Sequence, residues 1–235
     1  MNEIKPNIQR GKIAELQIWL LLSVNVALLV LYIIQTILTE NLYKGEVYKE
    51  ELNTVFGVVF SISIFLNLAY LTLLIVSVFT FIRWFQRAYY NLSILTNTCI
   101  YDDSWAIKGW FVPFMNLYVP YRIMKELYKK TDEYLLDNHL LTNDNYSPTD
   151  KLNLNIVKWW WTSIIVATIV FSTRLLIDFI GYTYARDTFG KIFILTFTMG
   201  VYILLAIITI AVIRNYQKAE SLLHNESKEE ENIQI

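Results

Sequence analysis

Arg174 and Asp178 stand four residues apart inside an otherwise apolar run, so one helical face would carry both a guanidinium and a carboxylate. A central membrane arginine costs roughly 2.5–3.5 kcal/mol, less near a span end, and pairing with the carboxylate lowers that cost. The pair is expected to be structural, near the membrane face; lining a polar path or a binding cavity is the alternative. Asn25 and Asn67 sit near the middle of two other apolar runs. Interhelical hydrogen bonding is their expected role, and ion coordination the alternative. Asp102 and Asp103 are adjacent and could form a polar cluster with Arg83 and Arg87, but two neighbouring carboxylates are a weak metal signal, since calcium takes six to eight oxygens. Cys99 is the single cysteine, which excludes an internal disulfide, and His139 and His224 are the only histidines. Zinc sites and a haem held by paired histidines therefore lack ligands. No serine-hydrolase elbow, phosphate loop, zincin helix or kinase set occurs. The expectation is no catalytic residue, no metal and no cofactor.

The elements that carry these residues are hydrophobic. Apolar residues make up 55% and charged residues 17% of the chain, against typical values of roughly 45–50% and about 25%. Crossing a bilayer takes about 20 mostly apolar residues. Four runs qualify, 16–38, 55–82, 159–180 and 192–213, and only the third is charged. Core helices of soluble proteins are shorter and keep a polar face, and the first run is too long for a signal peptide. The expected fold is all-α, an integral membrane four-helix bundle. Its ends are a cytoplasmic N-terminus, 1–15, and a charged, disordered tail, 216–235, with the membrane domain spanning 16–215. With four spans, both termini and the central loop share a side holding 15 of the basic residues, against 4 on the other. The positive-inside rule makes that side cytoplasmic, and the expected location is the cell membrane. The first connector, 39–54, reads as an extracytoplasmic loop with a short helical turn.

The central loop is long and partly apolar. Arg83 and Arg87, one turn apart, continue the second helix beyond the membrane. The stretch GWFVPFMNLYVPY, 109–121, is aromatic and broken by Pro113 and Pro120. Pro120 suits the first turn of the amphipathic helix that follows, in which Glu126 and Lys130 are spaced for a side-chain pair. Left in water, so many rings would promote aggregation. The interfacial segment, 105–138, is therefore expected at the lipid headgroups, with a re-entrant hairpin or a self-packed cytoplasmic cap as the alternatives for 109–121. Arg83, Arg87, Trp105, Trp110, Phe111, Pro113, Phe114, Asn116, Tyr118, Pro120, Tyr121, Arg122, Lys125 and Lys129 are the candidate contacts to lipid or to a partner.

RWFQRAYYNL at 83–92 and WFVPFMNLYVP at 110–120, with KWWW opening the third span, resemble the domain-of-unknown-function family numbered 4328. Its pattern is Arg-Trp-x-x-Arg-Ala-x-x-Asn-Leu, then Trp-Phe-x-Pro-x-x-Asn-Leu-x-x-Pro. The matching positions are Arg83, Trp84, Arg87, Ala88, Asn91 and Leu92, then Trp110, Phe111, Pro113, Asn116, Leu117 and Pro120. The resemblance covers about residues 50 to 215 and implies a multi-span bacterial membrane protein with no known activity. Asp102-Asp103-Ser104 departs from the Pro- or Gly-rich turn the resemblance implies. The leading functional expectation is a non-enzymatic protein binding membrane lipids, a membrane-protein partner or a second copy through its aromatic and basic segment. A small transporter or channel component using Arg174, Asp178, Asn25 and Asn67 is one alternative, and an enzyme acting on a lipid substrate is another. No nucleic-acid motif is present.

Overall fold

A computed structural model describes residues 4–44, 49–96, 98–138, 152–180 and 188–233. These residues form helices α1 (Ile8–Lys44), α2 (Lys49–Thr96), α3 (Trp105–Phe111), α4 (Val119–Asp137), α5 (Leu154–Ile180) and α6 (Thr188–Ile233), with a 3₁₀ turn at Met115–Leu117. No strand occurs among the described residues. Four helices are long and apolar enough to cross a membrane, over Ile8–Asn41, Thr54–Thr96, Leu154–Leu176 and Ile192–Leu223. The chain is an all-α, multi-pass membrane protein.

These helices outrun the bilayer. At 1.5 Å per residue, about 20 residues cover the hydrocarbon core, yet α1 has 37, α2 has 48 and α6 has 46. α1 and α2 run into the first connector from either side; residues 45–48 lie outside the described residues. The tail read as disordered is helical through Ile233. The reason lies at its start, where Tyr216, Ala219, Glu220 and Leu223 recur at helical spacing and are all buried.

The chain divides into two compact units. Unit 1 is residues 1–16, 77–162 and 208–235; unit 2 is 17–76 and 163–207. In unit 2, large side chains such as Phe65, Leu68, Ile75, Ile169 and Phe193 are exposed, the pattern of helices bathed in lipid. Polar side chains join its helices: the Tyr32 hydroxyl donates to Asn67 Oδ1 at 2.9 Å, and Gln35 Nε2 to Ser63 Oγ at 2.6 Å.

Unit 1 is packed like a soluble domain. Along α2, Phe81, Trp84, Phe85, Ala88, Tyr89 and Leu92 follow the 3.6-residue period and are buried. α4 presents Ile123, Met124, Leu127, Tyr128, Thr131 and Leu135 to the same interior, and α6 adds Val212, Ile213 and Tyr216. Rings interlock throughout. Phe81 lies 5.5 Å from Trp84, 5.8 Å from Trp160 and 6.1 Å from Trp110, centroid to centroid, and Trp84 meets Tyr216 edge-on at 6.0 Å. Such tilted pairs add about 0.5–1.5 kcal/mol each beyond area burial.

Candidate functional site: an exposed aromatic corner and a cationic cluster on unit 1

The segment at 105–121 has two sides. Its inward side closes the aromatic core. Trp110 meets Phe85, Trp160 and Trp161 at 6.3–6.4 Å, and Val119 and Pro120 are buried at the head of α4. Gly109 allows α3 and α4 to approach. A Cβ there would stand 2.8 Å from Val119 Cγ1. Tyr121 stacks on Trp161 at 6.1 Å, and Trp105 is half-buried. The outward side is apolar and uncovered. Phe114 is 82% exposed, Phe111 70% and Leu117 65%, and Pro113, Asn116 and Tyr118 are also exposed. Phe114 has φ 64°, the only positive φ at a non-glycine among the described residues. That conformation costs about 1–3 kcal/mol and carries the chain from α3 into the 3₁₀ turn. Asn116 closes the corner through its backbone, its N–H donating to the Val112 carbonyl at 3.0 Å.

Basic residues flank the corner. On α4 Arg122, Lys125 and Lys129 are exposed. The Arg122 guanidinium lies over the Tyr118 ring at 5.1 Å, and Lys129 pairs with Glu133 at 3.3 Å, both exposed.

Two buried polar hubs hold these parts in place. In the first, Glu126 Oε1 meets Lys130 Nζ at 2.7 Å, the spacing read from the sequence, and accepts the Ile100 N–H at 2.8 Å. Its Oε2 accepts the Tyr89 hydroxyl at 2.8 Å, and that hydroxyl accepts the Tyr101 N–H at 3.2 Å. Lys130 also donates to the Thr98 carbonyl. The hub pins residues 98–101, which lead into α3, onto α2 and α4. Beside it, burial pushes the Cys99 thiol up. Burial likewise holds the Tyr128 phenol far above its usual range, with its hydroxyl donating to the Val212 carbonyl at 2.8 Å.

The second hub joins the N-terminal segment, α2 and α6. Asn7 Nδ2 donates to Glu220 Oε1 at 3.0 Å and to the Trp84 carbonyl at 3.3 Å. Asn91 Nδ2 donates to Glu220 Oε1 at 3.2 Å and to the Lys5 carbonyl at 2.9 Å, while Asn91 Oδ1 accepts the Lys5 N–H at 3.0 Å. A cavity of about 260 Å³ adjoins it, lined in part by Ile4, Ile8 and Gln9. Helix packing is close here too, for a Cβ at Gly11 would stand 2.1 Å from Gln217 Nε2.

The turn before α3 is closed by Asp102. Its Oδ1 accepts the Ser104 N–H at 2.9 Å, an Asx turn that does the work of a proline or glycine. That bond holds the Asp102 carboxyl low, whereas desolvation, then a side-chain hydrogen bond with Asp102 and its charge, raise Asp103. The polar cluster expected between these carboxylates and Arg83 and Arg87 does not form. The two arginines face Phe79 and Tyr90 instead.

In unit 2, Asn25 is buried and has the Tyr70 hydroxyl as a side-chain hydrogen-bonding neighbour. Asn67 is bound to Tyr32 as above, and its Nδ2 donates to the Ser63 carbonyl at 2.7 Å. Arg174 is exposed and near enough to Tyr202 for its charge to act there. The Asp178 side chain, and with it the expected Arg174–Asp178 pair, lies outside the described residues. No group of three or more His, Cys, Asp or Glu side chains able to hold a metal occurs among the described residues.

Sequence reasoning missed Asn7, Tyr32, Gln35, Tyr128, Tyr216 and Glu220. For Tyr216 and Glu220 a signal existed, their spacing with Ala219 and Leu223. Asn7 precedes α1 and carries no periodic signal.

Both motif stretches meet in unit 1: Phe85 packs on Trp110, and Asn91 ties the N-terminal segment to α6. Comparison with curated proteins and with solved structures gave no match. A family description does match, over residues 51–218, and the chain accordingly belongs to the domain of unknown function family DUF4328.

Proposed function

We propose that this protein is a membrane-embedded binding protein whose unit 1 rests on the cytoplasmic lipid surface, with the corner at Phe111, Phe114 and Leu117 inserted at the headgroup–acyl boundary. The observation that carries this reading is the corner itself, three large apolar side chains exposed within seven residues about a strained turn whose flanks Trp110 and Pro120 anchor. Full burial of such a side chain is worth about 1.5–3 kcal/mol, so inserting three that are about two-thirds to four-fifths exposed gains roughly 3–6 kcal/mol. Lipid is the favoured occupant because a multi-pass protein is already in it, and because Arg122, Lys125 and Lys129 supply charge complementary to anionic headgroups. The surplus of basic residues on the side of the termini and central loop supports the cytoplasmic assignment.

Cys99 is the only cysteine, so its replacement by alanine allows single spin labels at Phe114→Cys, Leu117→Cys and Lys108→Cys in full-length protein in nanodiscs. Labels at 114 and 117 are expected to be accessible to oxygen and shielded from a water-soluble nickel chelate, with 108 the reverse. Nickel access at 114 and 117 equal to that at 108 would refute the reading.

A further inference from the structure

Four cations of unit 1 gather where the segment at the start of α1 meets residues 79–90 of α2. Lys5 Nζ and the Arg87 guanidinium both lie over the Tyr90 ring, at 4.7 Å and 5.8 Å from its centre. Arg10 Nη1 donates to the Arg83 carbonyl at 3.4 Å, and the charges of Arg83 and Arg87 both act on Arg10. Arg83 in turn lies over Phe79 at 5.2 Å. The arrangement is built rather than incidental. Lys5 is fixed by its two backbone bonds to Asn91, and Arg10 and Arg87 are half-buried. Among the described residues no carboxylate pairs with any of the four, although unit 1 holds carboxylates paired elsewhere, at Glu15 with Arg214 and Glu126 with Lys130.

Like charges held this close repel one another, and a bound anion removes the repulsion. Guanidinium forks match the oxygens of a phosphate in geometry as well as charge. The level is also informative. Arg83 directly follows the uncharged run 55–82, and Arg10 lies just before the run 16–38, so both stand where apolar helix gives way to polar surface.

We propose that Lys5, Arg10, Arg83 and Arg87 form a binding site for a phosphate monoester group presented at the membrane surface. The inference rests on the reading that unit 1 lies at the lipid surface. It adds a defined ligand chemistry at a place separate from the aromatic corner. A monoester offers three free oxygens to several forks, whereas a diester such as phosphatidylglycerol offers two and carries less charge.

The test titrates detergent-solubilised full chain with short-chain phosphatidic acid, phosphatidylglycerol, phosphatidylcholine and glycerol 3-phosphate, by calorimetry and thermal shift. Phosphatidic acid is expected to bind about tenfold or more tightly than phosphatidylglycerol, with phosphatidylcholine weakest. Arg10→Gln with Arg87→Gln should remove that preference, and a charge-matched control, Lys108→Gln with Lys158→Gln, should keep it. Arg10→Lys with Arg87→Lys retains charge but loses the forks and should fall between. Binding of glycerol 3-phosphate as tight as that of phosphatidic acid would support the site and assign it a soluble source. Binding of phosphatidic acid alone would support it with a lipid source.

Equal affinity of the wild type for phosphatidic acid and phosphatidylglycerol would overturn the proposal, even if the glutamine variant fails to fold. So would a lysine variant indistinguishable from wild type, since diffuse charge would then suffice. Loss of lipid selectivity with labels at 114 still shielded from nickel would remove the phosphate site and leave the aromatic corner standing. Nickel access at 114 with selectivity intact would do the opposite.

Discussion

Glu126 is the side chain on which the exposed corner depends, and its removal has a cost that can be worked from its partners. It is 7% exposed and takes three donors: the Tyr89 hydroxyl, the Ile100 N–H and the Lys130 ammonium. Glu126→Ala strands the first two, at about 1–3 kcal/mol each. Lys130 costs less, because it stays partly exposed and keeps the Thr98 carbonyl. The total is about 2–6 kcal/mol, which brackets the range for breaking a buried pair. Glu126→Gln behaves differently. Its carbonyl oxygen can take the Ile100 N–H and Lys130, and its amide can donate to Tyr89, because a hydroxyl both gives and accepts. It should cost about 1 kcal/mol. Tyr89→Phe should couple to Glu126→Ala by about 1–2 kcal/mol in a double-mutant cycle. The assay is reversible denaturation in mixed micelles followed by tryptophan fluorescence, with spin-label mobility at Phe114→Cys as a second readout. Mobility should rise in the alanine variant, because Ile100 and Tyr101 lead into α3. Alanine and glutamine variants of equal stability would refute the account of Glu126 as a hydrogen-bonding hub.

Three other outcomes are expected. Phe114→Gly should raise stability in detergent by about 1 kcal/mol, by relieving the positive φ, while weakening association of the corner with lipid; a drop in detergent stability would show that the ring packs on unit 1. Gly109→Ala gains about 1 kcal/mol of helix propensity, but forces a shift of buried Val119 that costs about 1–3 kcal/mol. The net is expected to be destabilising in the same denaturation assay, and Gly109→Ala with Val119→Ala should recover most of it. Burial lifts the Cys99 thiol above its ordinary value of 9.0, so the thiolate is scarcer in the folded protein than in a free thiol at any pH below the raised value. Alkylation should be slow at pH 7.5 and still climbing above pH 9, and a plateau near pH 8 would contradict the burial.

Much of the fold could be read from the residues, for a plain reason: apolar runs longer than a bilayer needs have few alternatives to crossing one. The apolar runs and their polar exceptions, the pairing of Glu126 with Lys130 and the placement of Pro120 in the first turn of α4 all depend on local spacing, which sequence displays directly. Unit 1 was harder to see. Its core joins residues 77–92, 105–135, 152–162 and 208–223, and no local pattern announces that Trp84 meets Tyr216 or that Glu220 takes the amides of Asn7 and Asn91. The aromatic segment illustrates the limit. Composition shows that its rings must be covered, but only the backbone reversal at Phe114 decides which ones the protein covers itself. Trp110, Val119 and Pro120 turn in, whereas Phe111, Phe114 and Leu117 turn out.

That division also sorts the two motif stretches by physical need. Trp84, Ala88, Asn91, Leu92, Trp110 and Pro120 are explained by folding alone, since each fills the core of unit 1 or ties its segments together. Arg83, Arg87, Phe111 and Leu117 are not. A core gains nothing from guanidiniums at the end of an apolar helix that no carboxylate among the described residues meets, and water-exposed Phe and Leu lower solubility without adding stability. On the reading proposed above, both departures are relieved by the same surroundings, a surface that is anionic at the headgroups and apolar just beneath. That proposed environment would answer two separate sets of side chains, one cationic and one apolar, in a protein whose long apolar helices already call for lipid. A soluble protein partner would have to supply both features separately, and the lipid bilayer supplies them together.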